Sequence, residues 1–450
     1  MINQKDTIAA ISSPIGEGAI SIVRLSGKDS ISIVNKKFSK DLTNFKDKTA
    51  YIGKILDSKK NILDEVVLTI FRSPNSFTGE DIVEIACHGG LLITKRVFEE
   101  VLNAGSRPAG PGEFTMRAFL NKKIDLTQAE AIQDLISAKN NFALKAASNQ
   151  LQGDLSNEIR KFQKKLIDIT ATMEVSLDFP EEQIDVTEAK SLIEQMTNLL
   201  NSMQKLSKTF EDGKIIKDGV SICIVGSVNV GKSSLMNAIL KKDRAIVTDI
   251  SGTTRDVLKE DIKLNEMFYE LIDTAGIRKT TCLIEKEGVK RSKTEEKNAD
   301  ITLLVLDASK KISKDDLAFI ESLSPKKTIA VWNKIDITEP KEKVDFENVI
   351  KISAKKKIGL ENLYKTIEKL TFKSKIFKDE IFITKKRHQL ALDEAISYLK
   401  KALKDLKKDI SYEFITIDIK SSLKGLSKII GFDITEDILS SIFSNFCIGK

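Results

Sequence analysis

The chain has 450 residues, too many for one ordinary core, so two or three domains are expected. With 41% hydrophobic and 30% charged residues, no apolar run near the roughly 18 residues that span a bilayer and no signal-peptide core in M-I-N-Q-K-D-T, a cytoplasmic protein is expected. The net charge of +7 suits an RNA partner but also follows from lysine-rich composition alone; the scattered Cys87, Cys223, Cys282 and Cys447 argue against a disulfide framework or cysteine zinc site, and two histidines, His88 and His388, exclude a triple-histidine metal centre.

Residues 1–118 mix short β-branched runs, Ala19–Leu25 and Val66–Phe71, with glycine-rich turns, as in a compact α+β or α/β unit. At Thr127-Gln128-Ala129-Glu130 a capping box predicts the start of a helix, and Leu155, Ile159, Phe162, Leu166, Ile169 and Met173, at steps of four and three, place one apolar face on a long helix ending near Phe179-Pro180. From Val220 the pattern changes to apolar strands separated by helical segments: Ser221–Val225, Tyr269–Ile272, Ile301–Leu306, Ile329–Trp332 and Val349–Ile352. That alternation predicts a mostly parallel, doubly wound sheet. After Leu370 helical spacing returns, with Ile415, Ile419, Leu423, Leu426 and Ile430 on one face and Ile438, Leu439, Ile442, Phe443 and Phe446 on another. The expected architecture is multidomain α/β. An N-terminal α+β domain (1–118) is followed by a discontinuous helical bundle (119–215 and 371–450), into which a nucleotide domain (216–370) is inserted.

Gly226 to Ser233 (G-S-V-N-V-G-K-S) matches G-x-x-x-x-G-K-[ST] between a predicted strand and a helix. Backbone amides of Asn229, Val230, Gly231, Lys232, Ser233 and Ser234 can wrap phosphates, Lys232 can neutralise the β and γ charges, and Ser233 can offer an oxygen to Mg²⁺. The partners follow in order. Gly252-Thr253-Thr254-Arg255-Asp256 supplies a threonine for the metal when the loop closes, and Asp273-Thr274-Ala275-Gly276 holds the magnesium shell and senses the γ-phosphate. Asn333-Lys334-Ile335-Asp336 offers a carboxylate to guanine N1 and its 2-amino group, which adenine does not match, and Ser353-Ala354-Lys355 completes the base pocket. GTP, not ATP, is the expected nucleotide. The residue after Gly276 is Ile277, where a water-orienting glutamine stands in Ras-like enzymes. Isoleucine cannot hold water, so either hydrolysis is slow or the catalytic group comes from elsewhere.

The whole chain resembles the MnmE (TrmE) family of tRNA modification GTPases. The resemblance is carried by D-T-I-A-A-I, by S-F-T-G-E-D-I-V-E-I-A-C-H-G-G (Ser76–Gly90), by Gly112–Ile132, by I-V-T-D-I-S-G-T-T-R-D and by the ending F-C-I-G-K. It implies a homodimer working with an MnmG-type flavoprotein that uses FAD and NADH, in a heterotetramer. Together they add a carboxymethylaminomethyl or aminomethyl group to C5 of the wobble uridine of certain tRNAs, with a tetrahydrofolate derivative as one-carbon donor. It also implies an answer to Ile277: nucleotide domains dimerise across GTP, with K⁺ held by Asn229, Thr248, Ile250 and Thr253, Mg²⁺ by Ser233 and Thr254, and the attacking water polarised by Glu285. Glu287 stays open as the alternative. A bound cation replaces an arginine finger, and a carboxylate polarises a water chain. Val228 departs from the family, which often has proline there.

For the first domain the resemblance implies folate binding, on a fold like the glycine-cleavage T protein, by Arg24, Glu84 and Lys123, with Lys450 reaching in from the ending. Read without it, each is a surface charge. Lys450 at that site requires a docked tail and brings Cys447 close; Cys447 reads as a packed thiol or as a reactive one. The alternative reading is an Era-like RNA-binding switch, whose expected signs, a KH-type G-x-x-G loop or a basic appendage, are not evident in the sequence.

Overall fold

Two mixed sheets organise the protein. The computed structural model describes residues 6–178, 186–243, 259–264, 267–273, 299–371 and 381–450. They fall into two units, one of residues 1–136, 147–204 and 390–450, the other of 137–146 and 205–389.

In the first unit six strands, β1 (Ile8–Ile11), β2 (Ile20–Ser26), β3 (Ala50–Leu56), β4 (Ile62–Phe71), β5 (Ile82–His88) and β6 (Arg107–Pro108), form a sheet of order β3-β4-β5-β2-β1-β6. All neighbours run antiparallel except β1 and β6. Alternation sends Val23, Leu25, Val66, Leu68, Ile70, Val83 and Ile85 to one face, where they bury against helices α1 (Ser30–Asn35) and α2 (Leu91–Asn103). The same alternation puts Arg24 and Glu84, directly opposed across β2 and β5, on the other face. Helix α3 (Glu113–Leu120) then leads into α4 (Leu126–Ser137).

The start of α4 differs from the expected capping box. Asp125 precedes the helix: its Oδ1 accepts the Gln128 amide at 3.1 Å, and Gln128 Oε1 accepts the Asp125 amide at 3.0 Å. The reciprocal cap therefore lies two residues earlier, and Thr127, already inside the first turn, donates to Asp125 Oδ1 and meets the Ser156 hydroxyl at 2.6 Å. The long apolar stripe is real: Leu155, Ile159, Phe162, Leu166, Ile169 and Met173 are all buried on α6 (Asp154–Asp178), which follows α5 (Asn141–Leu151). The expected stop at Phe179-Pro180 lies outside the described residues. Helix α7 (Val186–Lys208) continues the chain, and α8 (Phe210–Asp218) leads into the second sheet.

That sheet contains β7 (Val220–Val225), β8 (Lys259–Leu264), β9 (Met267–Asp273), β10 (Ile301–Asp307), β11 (Thr328–Asn333) and β12 (Asn348–Lys351), in the order β12-β11-β10-β7-β9-β8. Every pairing is parallel except β8 with β9. Central strands β10 and β11 are buried throughout, as expected of parallel strands covered on both faces. Helices α9 (Lys232–Asp243), α10 (Lys314–Ser322) and α11 (Leu360–Thr371) belong to this unit. The C-terminal helices are α12 (Lys386–Leu406), α13 (Tyr412–Ile430) and α14 (Glu436–Phe443). Ile415, Ile419, Leu426 and Ile430 of α13 are buried, while Gly425 lets the helix approach Ala391 and Ala395 of α12 and Ser422 donates to the Ala395 carbonyl. On α14, Phe443 and the following Phe446 are buried, against Met116, Leu126 and Ala129. Ile438 on the same helix is 45% exposed, so its apolar face is narrower than the spacing implied.

Candidate functional site

Parallel pairing brings the C-terminal ends of β7, β9, β10 and β11 to one edge of the second sheet. Ile224 is in register with Asp273 and Asp307 with Asn333. Loops leaving such an edge form the crevice where ligands bind in doubly wound folds.

Gly226 leaves β7 at φ +144°, a conformation that L residues rarely adopt, and a Cβ there would run into the Val305 carbonyl oxygen. Gly231, at φ +101°, opens α9, and a Cβ there would collide with Asn333 Nδ2. Between them Asn229 takes a left-handed φ of +63°. A glycine-bearing loop thus leads directly into the N-terminus of α9, an arrangement suited to phosphate. Lys232 lies across it, its ammonium donating to the carbonyls of Gly226 at 2.8 Å and Ser227 at 2.6 Å. Ser233 and Ser234 are exposed on the same turn, and Val230 is buried.

The loop after β11 is tied to this one. Buried Asn333 donates Nδ2 to the Val230 carbonyl (2.9 Å), while its Oδ1 accepts the amides of Lys334 (2.8 Å) and Ala354 (3.0 Å). Lys334, itself at φ +68°, donates Nζ to the Asn229 carbonyl (2.8 Å) and to Asp307 Oδ2 (2.7 Å). Burial pushes the Asp307 carboxyl up, but bonds from Lys334 and Ser309 outweigh it and hold it below the ordinary 3.8. The Ser353 hydroxyl, aided by the charges of Lys356 and Lys355, likewise holds Asp336 below that value, so it is an anionic acceptor at neutral pH. The structure thus brings together Asn229, Val230, Gly231, Lys232, Asn333, Lys334, Asp336, Ser353 and Ala354. Thr248, Asp249, Ile250, Ser251, Gly252, Thr253, Thr254, Thr274, Ala275, Gly276 and Glu285 lie outside the described residues, as do Ile277 and Glu287.

In the first unit Arg24 and Glu84 form an ion pair at 2.8 Å, with the Arg24 guanidinium 5.8 Å from the centre of the Phe114 ring. The chain's ending lies against this pair. Arg24 Nη1 and Ser12 Oγ donate to the Gly449 carbonyl at 3.3 and 3.2 Å, the Gly112 amide to the Cys447 carbonyl at 3.3 Å, and the Phe114 amide to the Lys450 carbonyl at 3.2 Å. The tail is therefore docked by its backbone. Cys447 is exposed, which corrects the packed-thiol reading: the main chain, and not the thiol, carries the docking. Lys123 is exposed and donates to the Pro74 carbonyl at 2.9 Å.

Sequence reasoning missed a charged cluster beside this tail. Arg117, 1% exposed, bonds Asp6 Oδ1 (2.8 Å), Glu113 Oε1 (3.0 Å) and Glu80 (3.2 Å), and Arg107 bonds Asp6 and Glu113 at 2.7 and 2.6 Å. The only sequence signal was the run G-E-F-T-M-R itself. Among the described residues no helix is long and apolar enough to cross a membrane, and no group of three or more His, Cys, Asp or Glu is placed to hold a metal ion.

Comparison with known proteins covers nearly the whole chain. The family described as "MnmE helical domain" matches residues 126–447, and that described as "GTP-binding protein TrmE N-terminus" matches 7–123. A tRNA modification GTPase MnmE of Protochlamydia amoebophila (strain UWE25) is 48% identical over 449 residues, covering 99% of this chain and 98% of the relative. One of Aquifex aeolicus (strain VF5) is 44% identical over 449 residues, covering 99% and 100%.

Proposed function

The chain belongs to the MnmE family of tRNA modification GTPases, and from that premise we propose how it divides the work between its two sites. The protein is a GTP hydrolase taking part in tRNA modification. GTP is taken at the edge of the second sheet, its phosphates by residues 229–234 and its guanine by Asp336, with Ser353, Ala354 and Lys355 closing the base pocket. The observation that carries this reading is the double tie between the loops, Asn333 to Val230 and Lys334 to Asn229, which presents a phosphate cradle and an anionic acceptor as one surface.

Lys232 would exchange its two loop carbonyls for the β and γ phosphate oxygens. Mg²⁺, held through Ser233 and Thr254, neutralises phosphate charge when bound, and the exposed Ser233 at the first turn of α9 fits that demand. Asp273 ends β9 beside the loop, at the strand position from which a carboxylate serves the metal shell. Glu285 is assigned to polarise the attacking water, and Asn229, Thr248, Ile250 and Thr253 would hold K⁺ where two nucleotide domains meet, its charge standing in for an arginine finger.

The second site is a reduced-folate site at Arg24, Glu84 and the docked tail with Lys450, Lys123 contributing from its own loop. Glu84 suits the paired N–H donors of a pterin, and its ion pair with Arg24 orients it. With an MnmG-type flavoprotein, the homodimer uses the one-carbon unit to build the C5 substituent of the wobble uridine, and Cys447 is exposed beside that chemistry. Residues 1–118, 119–215, 216–370 and 371–450 are the functional segments in this reading.

The test is steady-state GTP hydrolysis in matched K⁺ and Na⁺ buffers across protein concentrations. Strong K⁺ stimulation that rises with concentration is expected. Equal turnover in both salts, independent of concentration, overturns the assignments of Asn229 and Glu285.

A further inference from the structure

The phosphate loop has a second anchor, distinct from the base-reading loop. Asp316, in the first turn of α10, is 6% exposed, and both its carboxylate oxygens are engaged. Oδ1 accepts the Ser227 hydroxyl at 2.6 Å; Oδ2 accepts the Ser313 hydroxyl at 2.7 Å and the Ser313 amide at 3.1 Å. The Ser313 hydroxyl in turn accepts the Asp316 amide at 3.1 Å and lies 3.3 Å from the Ser227 hydroxyl. Ser313 and Asp316 are thus a reciprocal helix cap, and Ser227 is a third member that the cap does not need.

Ser227 follows the first glycine of the loop, and its carbonyl receives Lys232 Nζ at 2.6 Å. One residue is therefore held from both sides, by Asp316 through its hydroxyl and by Lys232 through its carbonyl. Burial pushes the Asp316 carboxyl up, but donors from Ser227 and Ser313 outweigh it and the net displacement is downward, leaving an anion at neutral pH. A buried carboxylate beside a loop that receives polyphosphate opposes binding by its charge. Its presence there is accounted for by geometry: an acceptor-only group can grip Ser227 and the helix cap at once.

We propose that Asp316 is a positioning residue for GTP, acting through Ser227 to hold the phosphate loop in its binding shape before nucleotide arrives. This rests on the reading of Gly226–Ser233 as the phosphate loop. Preorganising the loop lowers the cost of binding without adding a contact made only in the transition state, so the effect belongs in KM and not in kcat.

The experiment compares wild type, D316A, D316N, S227A and the D316A/S227A double variant as full-length protein, reading KM and kcat for GTP, fluorescent GDP affinity and melting temperature. D316A is expected to raise KM and weaken GDP binding by about tenfold, the scale of one hydrogen bond to a charged acceptor, with kcat within about twofold. S227A should reproduce that change, and the double variant should be no worse than either single one. D316N keeps an acceptor oxygen for Ser227 and removes the charge, so it should recover most of the loss. A lowered melting temperature with unchanged KM in D316A overturns the proposal in favour of a helix cap alone; so does additivity of the two substitutions, or D316N no better than D316A. K232A separates the underlying reading: GDP and GTP affinity unchanged in that variant overturns the phosphate-loop assignment, whatever Asp316 does.

Discussion

Asn333 donates its side-chain amide to the carbonyl oxygen of Val230 across 2.9 Å, so the residue that opens the base-reading loop also shapes the phosphate loop. The same side chain caps the amides of Lys334 and Ala354 through Oδ1. One buried amide thus sets three backbone segments, and its loss is felt at all of them.

Replacing Asn333 by alanine should therefore cost more than one hydrogen bond. The Val230 carbonyl and two backbone amides lose their partner inside the protein, at about 1–3 kcal/mol for each group that water cannot reach. A stability loss of about 2 kcal/mol or more is expected in chemical denaturation, together with at least a tenfold weaker GTP affinity in nucleotide titration. Weakened stability with unaltered affinity would confine Asn333 to a structural role.

Asp336 allows a change of specificity. Its carboxylate accepts only, which matches the N1–H and 2-amino donors of guanine; asparagine presents one donor and one acceptor. D336N should lose about 100-fold in GTP affinity and gain xanthosine triphosphate, whose C2 carbonyl accepts where guanine donates. Competition binding with the two nucleotides checks this. Retained guanine preference in D336N would place base recognition elsewhere.

The docked tail depends on Gly112. It stands at φ +63° before α3, and a Cβ there would lie 2.9 Å from both the Phe443 carbonyl oxygen and Phe446 Cβ, neither of them a flexible end that can move aside. G112A should destabilise the first unit by about 2–3 kcal/mol, combining left-handed strain with the clash. Amide exchange of Phe114, whose N–H is given to the Lys450 carbonyl, should rise in the same variant. Protection of Phe114 unchanged in G112A would mean the tail holds independently of this turn.

The phosphate loop and its base-reading partner were legible because they are local motifs: Gly226, Gly231 and Lys232 sit within one octet, and Asn333 and Asp336 within one tetrad. The buried stripe of α6 was legible from spacing alone. The cap of α4 was not resolved correctly, since D-L-T-Q and T-Q-A-E both fit the same signature two residues apart; burial of Leu126 and the meeting of Thr127 with Ser156 decide between them. Asp316 and Arg117 were illegible for a different reason. Besides a local partner each has one far away in sequence, Ser227 for one and Asp6 for the other, and a charged side chain defaults to the surface unless such distant partners converge.

That convergence around Arg117 gives the protein an acid-sensitive element. The Arg107 bond, aided by Arg117 and opposed by partial burial, holds the Asp6 carboxyl below its ordinary 3.8. For Glu113 burial pushes up, but Arg107, the Gly110 amide and Arg117 together hold it below its ordinary 4.5. Both are depressed in the folded state, so the unfolded chain takes up protons first as pH falls. Their stabilisation is fully present above those ordinary values and is lost as pH drops through the folded ones. Arg117→Met leaves the buried Glu113 without one of its partners, along with Glu80 and Asp6, and should cost about 3–5 kcal/mol at pH 7. The gap between variant and wild type should narrow below pH 4.5, because Glu113 and then Asp6 become neutral and need no arginine. Denaturant midpoints of both proteins, measured from pH 7 down to the acid limit, check the sign; a gap independent of pH would mean that Arg117 contributes by packing and not by charge.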